Sequence, residues 1–378
     1  QTCALPISRK ISYDFLKKQT DAWHIDFYDF LRGIEALWRK GSSPFFDGPL
    51  RKKPIIRCKD GENRSPYDEK GRPLVFLPVS SEINFVMVKP SIYENEKVKL
   101  FLDSLGLVKP DICAKVINEI LTIFENEETF EYFNLKGYQE NINLIEEAIQ
   151  VNESPLFTRL IRTLQTIPWI LAKNSKTNQT QFKKASEIYI PNEDLYMYFE
   201  DNEDIWFISD DIKIKEELLL RIGATDTVKI NCRNLEQYKK TPYAEIVIWS
   251  YYGRHGKGIR CFDHRTSVEG LEKALESVTI EKAIYIWNNF AVPLANFIKG
   301  EVKVATRQDF SNAKIKIYYS EFGSLILKNC WVPTSDGHFK KPSDCCVDEL
   351  HPMLVRDELL IKQISIIPSL TAAKTEAK

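Results

Sequence analysis

The chain has 378 residues, of which 43% are apolar, and its 52 basic residues face 53 acidic ones. So even a balance excludes a global field that would steer the protein toward nucleic acid or an anionic membrane, and partners must be sought in local features. The length and apolar content suffice for two or three domains, and no apolar run is long enough to span a bilayer.

Taken in chain order, residues Gln1 to Ile7 (QTCALPI) back-translate into a common sequencing-adapter stretch. They are expected to be a non-native scar, with the native N-terminus missing, and are set aside from fold reasoning. Without Cys3 the cysteines are seven and irregularly spaced. This pattern predicts reduced thiols in a cytoplasmic protein rather than a disulfide framework. No secretory signal is visible.

One pattern is then written three times. Without gaps, PIIRCKDG from Pro54, PWILAKNS from Pro168 and CWVPTSDG from Cys330 align over eight positions. Each reads as a short apolar strand running into turn chemistry, with Asp60, Asn174 and Asp336 at equivalent turn positions. Downstream, QFKKASEIYIP (181–191) matches HFKKPSDCCVD (338–348) and, more loosely, GRPLVFLP (71–78). The strand Ile188 to Ile190 thereby corresponds to Val75 to Leu77 and to Cys345 to Val347.

An amphipathic helix is expected before each copy. Trp23, Phe27, Phe30, Ile34, Leu37 and Trp38 form one apolar stripe before the first. Ser154 as N-cap and Pro155 as first helical residue open the helix before the second, and SEFGSLILKN precedes the third. The first two copies are followed by helices that end at Gly106 and Gly223, residues suited to a C-terminal cap. No such ending is expected after the third. Residues 266–299 read as helical, with Thr279 as a cap and Gly300 as the stop.

The expected fold class is α+β: tandem helix-plus-β-hairpin modules with intervening helical segments. The expected divisions are a first module at 8–150, a second at 151–250, and a helical segment plus third module at 251–378. Trp169 and Trp331 open equivalent strands and are expected to be core anchors between helix and hairpin.

Candidate chemistry is sparse. Gly253, Gly256, Lys257 and Gly258, with Arg254, make a G-x-x-G-x-G match that could hold phosphate oxygens on backbone amides. The flanking segments read as strands rather than a following helix, so a hairpin turn is favoured and no cofactor is expected on this segment. Cys330, His338, Cys345, Cys346 and His351 invite zinc, yet no C-x2-C pair exists and the repeat puts Cys345 and Cys346 at strand positions, which favours buried thiols. Glu301 and Lys303 resemble the end of a metal-dependent nuclease signature but lack its upstream aspartate, and a charged surface strand accounts for them. Cys261 beside His264 lacks an orienting partner for nucleophilic catalysis. The pairs Lys183-Lys184 and Lys340-Lys341 are too isolated for a nucleic-acid footprint.

The series DFLRGIEALW, KPIIRCKDG, LVFLP and LFLDSLGL, then PWILAKN, YIP and LLLRIGA, then VEGLEKALESVTIEKAIYIW, and finally CWVPTSDGHFKKPSD with ELHP, resembles the region after the ATPase domain of large bacterial sacsin-like proteins. Plant NO VEIN-type proteins are related to that group. The resemblance covers most of residues 20–355. It implies that a GHKL-type ATPase domain, holding ATP and Mg²⁺, precedes this region and that a nuclease-like domain often follows. No pair of that domain's E-x-x-x-N and D-x-G-x-G boxes occurs here, so no ATP-binding residue is carried over. The implied role is scaffolding: a non-catalytic region that couples nucleotide-driven movement to a protein client or effector domain, in a bacterial defence or chaperone-like system. The alternatives are a nucleic-acid-processing, nuclease-like fragment and a DNA-binding module.

Overall fold

The computed structural model describes residues 12–35, 38–39, 48–80, 84–125, 134–200, 202–236, 262–306 and 309–369. Helices and small, mainly antiparallel sheets alternate along them, which makes the chain α+β. The chain divides into two compact units. Residues 1–170, 183–185 and 210–222 contribute to one, and residues 171–182, 186–209 and 223–378 to the other.

In the first unit, helix Asp21–Arg32 begins where the Thr20 hydroxyl accepts the Trp23 N–H at 3.2 Å, with Asp21 favourably placed in the first turn. It buries His24, Phe27, Tyr28 and Leu31, an i, i+3, i+4, i+7 stripe. The expected stripe through Phe30 is corrected. Phe30 is 54% exposed, because at 100° per residue it lies about 240° round from His24. The helix also ends before Ile34 and Trp38, and Trp38 instead folds back, its indole N–H donating to the Leu31 carbonyl at 2.7 Å. Strands Ile56–Arg57 and Asn63–Arg64 pair antiparallel, Ile56 opposite Arg64 and Arg57 opposite Asn63, around Gly61 at φ +82°. The helix preceding the second copy runs Phe157–Thr166 and starts later than expected. Ser154 Oγ accepts the Leu156 N–H at 3.1 Å and donates to Asp111, closing a turn ahead of the helix rather than capping it.

In the second unit, strands are ordered Thr180–Lys183, Ile170–Asn174, Trp206–Ile208, with Ile170 and Lys183 counted in the first unit. Helix Ile280–Ile286 starts at Thr279, whose hydroxyl accepts the Lys282 N–H at 3.2 Å. The helical stretch is shorter than 266–299. Strand Phe262–Val268 occupies its start, and Gly300 lies within strand Lys299–Thr306, paired with Asp309–Tyr319. Pro293, which lacks an N–H, interrupts helical bonding before Gly300 is reached. Helix Glu321–Lys328 is capped by Ser320, whose hydroxyl accepts the Gly323 N–H at 3.0 Å and donates to the Phe297 carbonyl at 2.7 Å. Gly323 sits so close to the neighbouring backbone that a Cβ there would lie 2.1 Å from the Ile298 carbonyl oxygen.

The three copies share one hydrogen-bond register. Cys58, Ala172 and Thr334 hold the same repeat position and bridge Val88, Ile208 and Leu350 antiparallel. The next amides, Lys89, Ser209 and His351, donate to the Arg57, Leu171 and Pro333 carbonyls, each at 3.0 Å. Further on, Leu77, Ile190 and Val347 donate to Val108, Thr225 and Ile367 at 2.9, 2.8 and 3.0 Å. Each acceptor stands two residues after a left-handed residue that follows a helix: Gly106 at φ +88°, Gly223 at +107° and Ser365 at +61°. The expectation that the third copy lacks such an ending is therefore corrected. Helix Glu358–Gln363 and Ser365 provide it, with a serine where the sequence pattern called for glycine. In the first and third copies the residue after the turn repeats the same backbone bond, Leu107 to Leu102 at 3.0 Å and Ile366 to Ile361 at 3.1 Å.

Candidate functional site

The sequence-derived anchors lie at structural joints. Trp169 and Trp331 are fully buried, and their indole N–H groups donate to Leu164 and Ile326 at 3.0 and 2.7 Å. Asp60 accepts the Glu62 N–H, and Asn174 accepts from Lys176 and Thr177 while donating to Glu203 and Ile205. Asp336 accepts from His338 N–H and the Thr334 hydroxyl, and that hydroxyl holds its carboxyl below the usual range. These carboxylates and amides are committed to turns.

Cys345 is buried, with its thiol pushed up to about 11 chiefly by burial, and its Sγ donates to the Cys346 carbonyl. Cys330 and His338 are exposed, and His351 Nδ1 accepts the Met353 N–H. Among the described residues no three His, Cys, Asp or Glu side chains converge in a way that could hold a metal. Lys340 pairs with Glu349 at 2.8 Å. Glu301 and Lys303 stand opposite Ile317 and Ile315 in their strand pair. Gly253, Arg254, Gly256, Lys257, Gly258 and Cys261 lie outside the described residues. No helix among the described residues is long and apolar enough to cross a membrane.

A polar cluster in the first unit was not singled out by sequence reasoning. Helix Asp21–Arg32 meets strand Ile56–Arg57 through Tyr28, whose hydroxyl donates to the Ile55 carbonyl and accepts the Arg57 N–H, both at 2.9 Å. This joint places His24 and Asp21, one turn apart on the helix, near Arg57 and Lys89. Asp21 pairs with Lys89 at 2.6 Å and accepts from the Ser91 hydroxyl at 3.3 Å, and the Lys89 bond holds its carboxyl below the usual range. Arg57 Nε stands 3.9 Å from Asp21, beyond hydrogen-bond reach.

His24 is fully buried beside Trp23 and Tyr28, with ring centroids at 5.3 and 5.9 Å. Neither ring nitrogen has a hydrogen-bond partner among the described residues, nor do Arg57 Nε and Nη1 or the side-chain amide of Asn63. Burial first, and the Arg57 charge second, lower the His24 pKa to about 4. The Leu16 backbone acts the other way without offsetting them, and its geometry falls short of a hydrogen bond. The cluster thus gathers donors and positive charge in a place where polar groups are ordinarily paired.

A signal for it exists in the repeat. Arg57 occupies the position held by Leu171 and Pro333 in the other copies, and its cross-strand partner Asn63 stands where the third copy has Phe339 opposite Pro333. The first copy carries a polar pair where the third carries an apolar one. Comparison with protein-family models, with curated proteins and with solved structures finds no match to this chain.

Proposed function

We propose that this chain is a non-catalytic coupling region of a large sacsin-like ATPase protein, in which helix-plus-hairpin modules present surfaces to a protein client or effector domain. ATP and Mg²⁺ belong, on this reading, to a nucleotide-binding domain outside this sequence. The observation that carries the proposal is the register shared by three copies, down to the paired amides that follow Val88, Ile208 and Leu350. Repeated supersecondary units bury faces against their neighbours and suit extended recognition surfaces. The polar residues of the turns support the same reading, since Asp60, Asn174 and Asp336 each accept a backbone N–H within their turn.

The test is an assay of the purified chain with MgATP and, separately, with Mg²⁺ and duplex DNA. The expected outcome is no turnover of either. Saturable ATP hydrolysis would overturn the reading, and DNA cleavage abolished by Glu301→Ala would replace it with the nuclease-like alternative.

A further inference from the structure

We infer that Arg57, Asn63 and His24, with Lys89 at the rim, form a binding site for a small oxyanion, a carboxylate or phosphate group, carried by the first of the three modules. This inference stands independently of the coupling role.

Charge is the first argument. Arg57 and Lys89 bring two positive charges against the single carboxylate of Asp21, and Lys89 holds that carboxylate at 2.6 Å with help from Ser91. Arg57, 3.9 Å away, is left without a counter-ion at hydrogen-bond distance. The deficit is one negative charge.

Hydrogen-bonding capacity is the second. Arg57 Nε and Nη1, Asn63 Nδ2 and one His24 nitrogen are donors, and all of these atoms are buried without partners among the described residues. Oxyanions accept several such donors at once, and guanidinium is suited to carboxylate and phosphate alike. Asn63 Oδ1 and the second His24 nitrogen are acceptors, which a phosphate O–H can satisfy. The Arg57 side chain as a whole is 14% exposed, with its Nε and Nη1 buried, while the Lys89 side chain at the rim is 34% exposed.

The internal comparison is the third. Proline and phenylalanine fill the equivalent cross-strand pair of the third copy, and Leu171 replaces arginine in the second. The third copy builds the same hairpin with an apolar pair at this position. Burying unpaired polar groups opposes folding, and an apolar pair of suitable shape removes that cost. An arrangement unfavourable to the empty module and absent from its sister copies fits a ligand requirement.

The test uses the full chain. Thermal unfolding and the His24 imidazole titration by NMR are followed in sodium acetate, in sodium phosphate and in sodium chloride at matched ionic strength. A saturable rise in midpoint with acetate or phosphate, together with a rise in the His24 pKa as the bound anion favours imidazolium, is expected. Whichever anion saturates at the lower concentration identifies the head group. The variant Arg57→Leu/Asn63→Phe, which copies the residues of the sister modules, should fold and lose the response at least tenfold. Arg57→Gln serves if that variant does not fold. Equal response of wild type and variant, or a wild-type response no different from that in chloride, overturns the inference.

Discussion

Trp169 and Trp331 make the same hydrogen bond in two copies of one pattern: each indole donates to the carbonyl five residues earlier, at 3.0 and 2.7 Å, in the last turn of the preceding helix. The first copy has isoleucine at this position. There Trp38, from a different place in the sequence, donates to Leu31 in the last turn of its helix at 2.7 Å. Three helices therefore end with a carbonyl satisfied by an indole, which ties each helix terminus to the chain that follows.

Replacing either Trp169 or Trp331 with phenylalanine removes the donor and leaves a buried carbonyl unpaired. Each change should cost about 2 kcal/mol, within the range for an orphaned buried polar group plus lost contact. Urea unfolding followed by far-ultraviolet circular dichroism measures it. A neutral effect at one position would show that the two indoles do not share a role.

The close approach of Gly323 to Ile298 predicts intolerance of any side chain. Gly323→Ala places a Cβ at 2.1 Å from a carbonyl oxygen and should lower stability by about 3 kcal/mol, the upper part of the overpacking range. Gly137→Ala is the control. That position, within helix Leu135–Gln150, has nothing within 4 Å of the new methyl, so a gain of about 0.5–1 kcal/mol is expected there. Thermal melts of both variants decide the matter.

Much of this architecture was legible because turn chemistry and helix caps are local. Asp60, Asn174, Asp336, Gly106 and Gly223 advertise their backbone roles through residue type alone. The third module's ending was not legible, because Ser365 adopts φ +61° without the glycine that normally signals it. The His24 cluster escaped for a different reason. Its residues come from a helix, a hairpin and a connecting segment, and each looks ordinary alone; only the repeat alignment shows Arg57 where Leu171 and Pro333 stand.

Ser365 carries a prediction of its own. A non-glycine left-handed residue costs on the order of 1 kcal/mol, so Ser365→Gly should stabilise the chain by about that amount. Gly106→Ala should do the opposite, since its φ of +88° disfavours a Cβ and the methyl would meet Tyr67 Oη at 3.0 Å. Chemical denaturation midpoints of the two variants should move in opposite directions.

His24 makes stability depend on pH. Its pKa falls from 6.5 in the unfolded chain to about 4 when folded, so the unfolded state binds the proton more tightly. The contribution is fully present well above pH 6.5, is lost progressively as pH falls from 6.5 to 4, and amounts to on the order of 3 kcal/mol. His24→Phe should flatten this part of the profile. Denaturation curves between pH 7.5 and 4 for the two proteins, compared at fixed ionic strength, test it; parallel profiles would remove His24 from the account.

The shared register is tested most directly by amide hydrogen exchange at Leu77, Ile190 and Val347, the equivalent donors to Val108, Thr225 and Ile367. All three should exchange far more slowly than an unstructured amide. Exchange of any one at the unstructured rate, while the other two remain protected, would contradict the claim that one module is built three times.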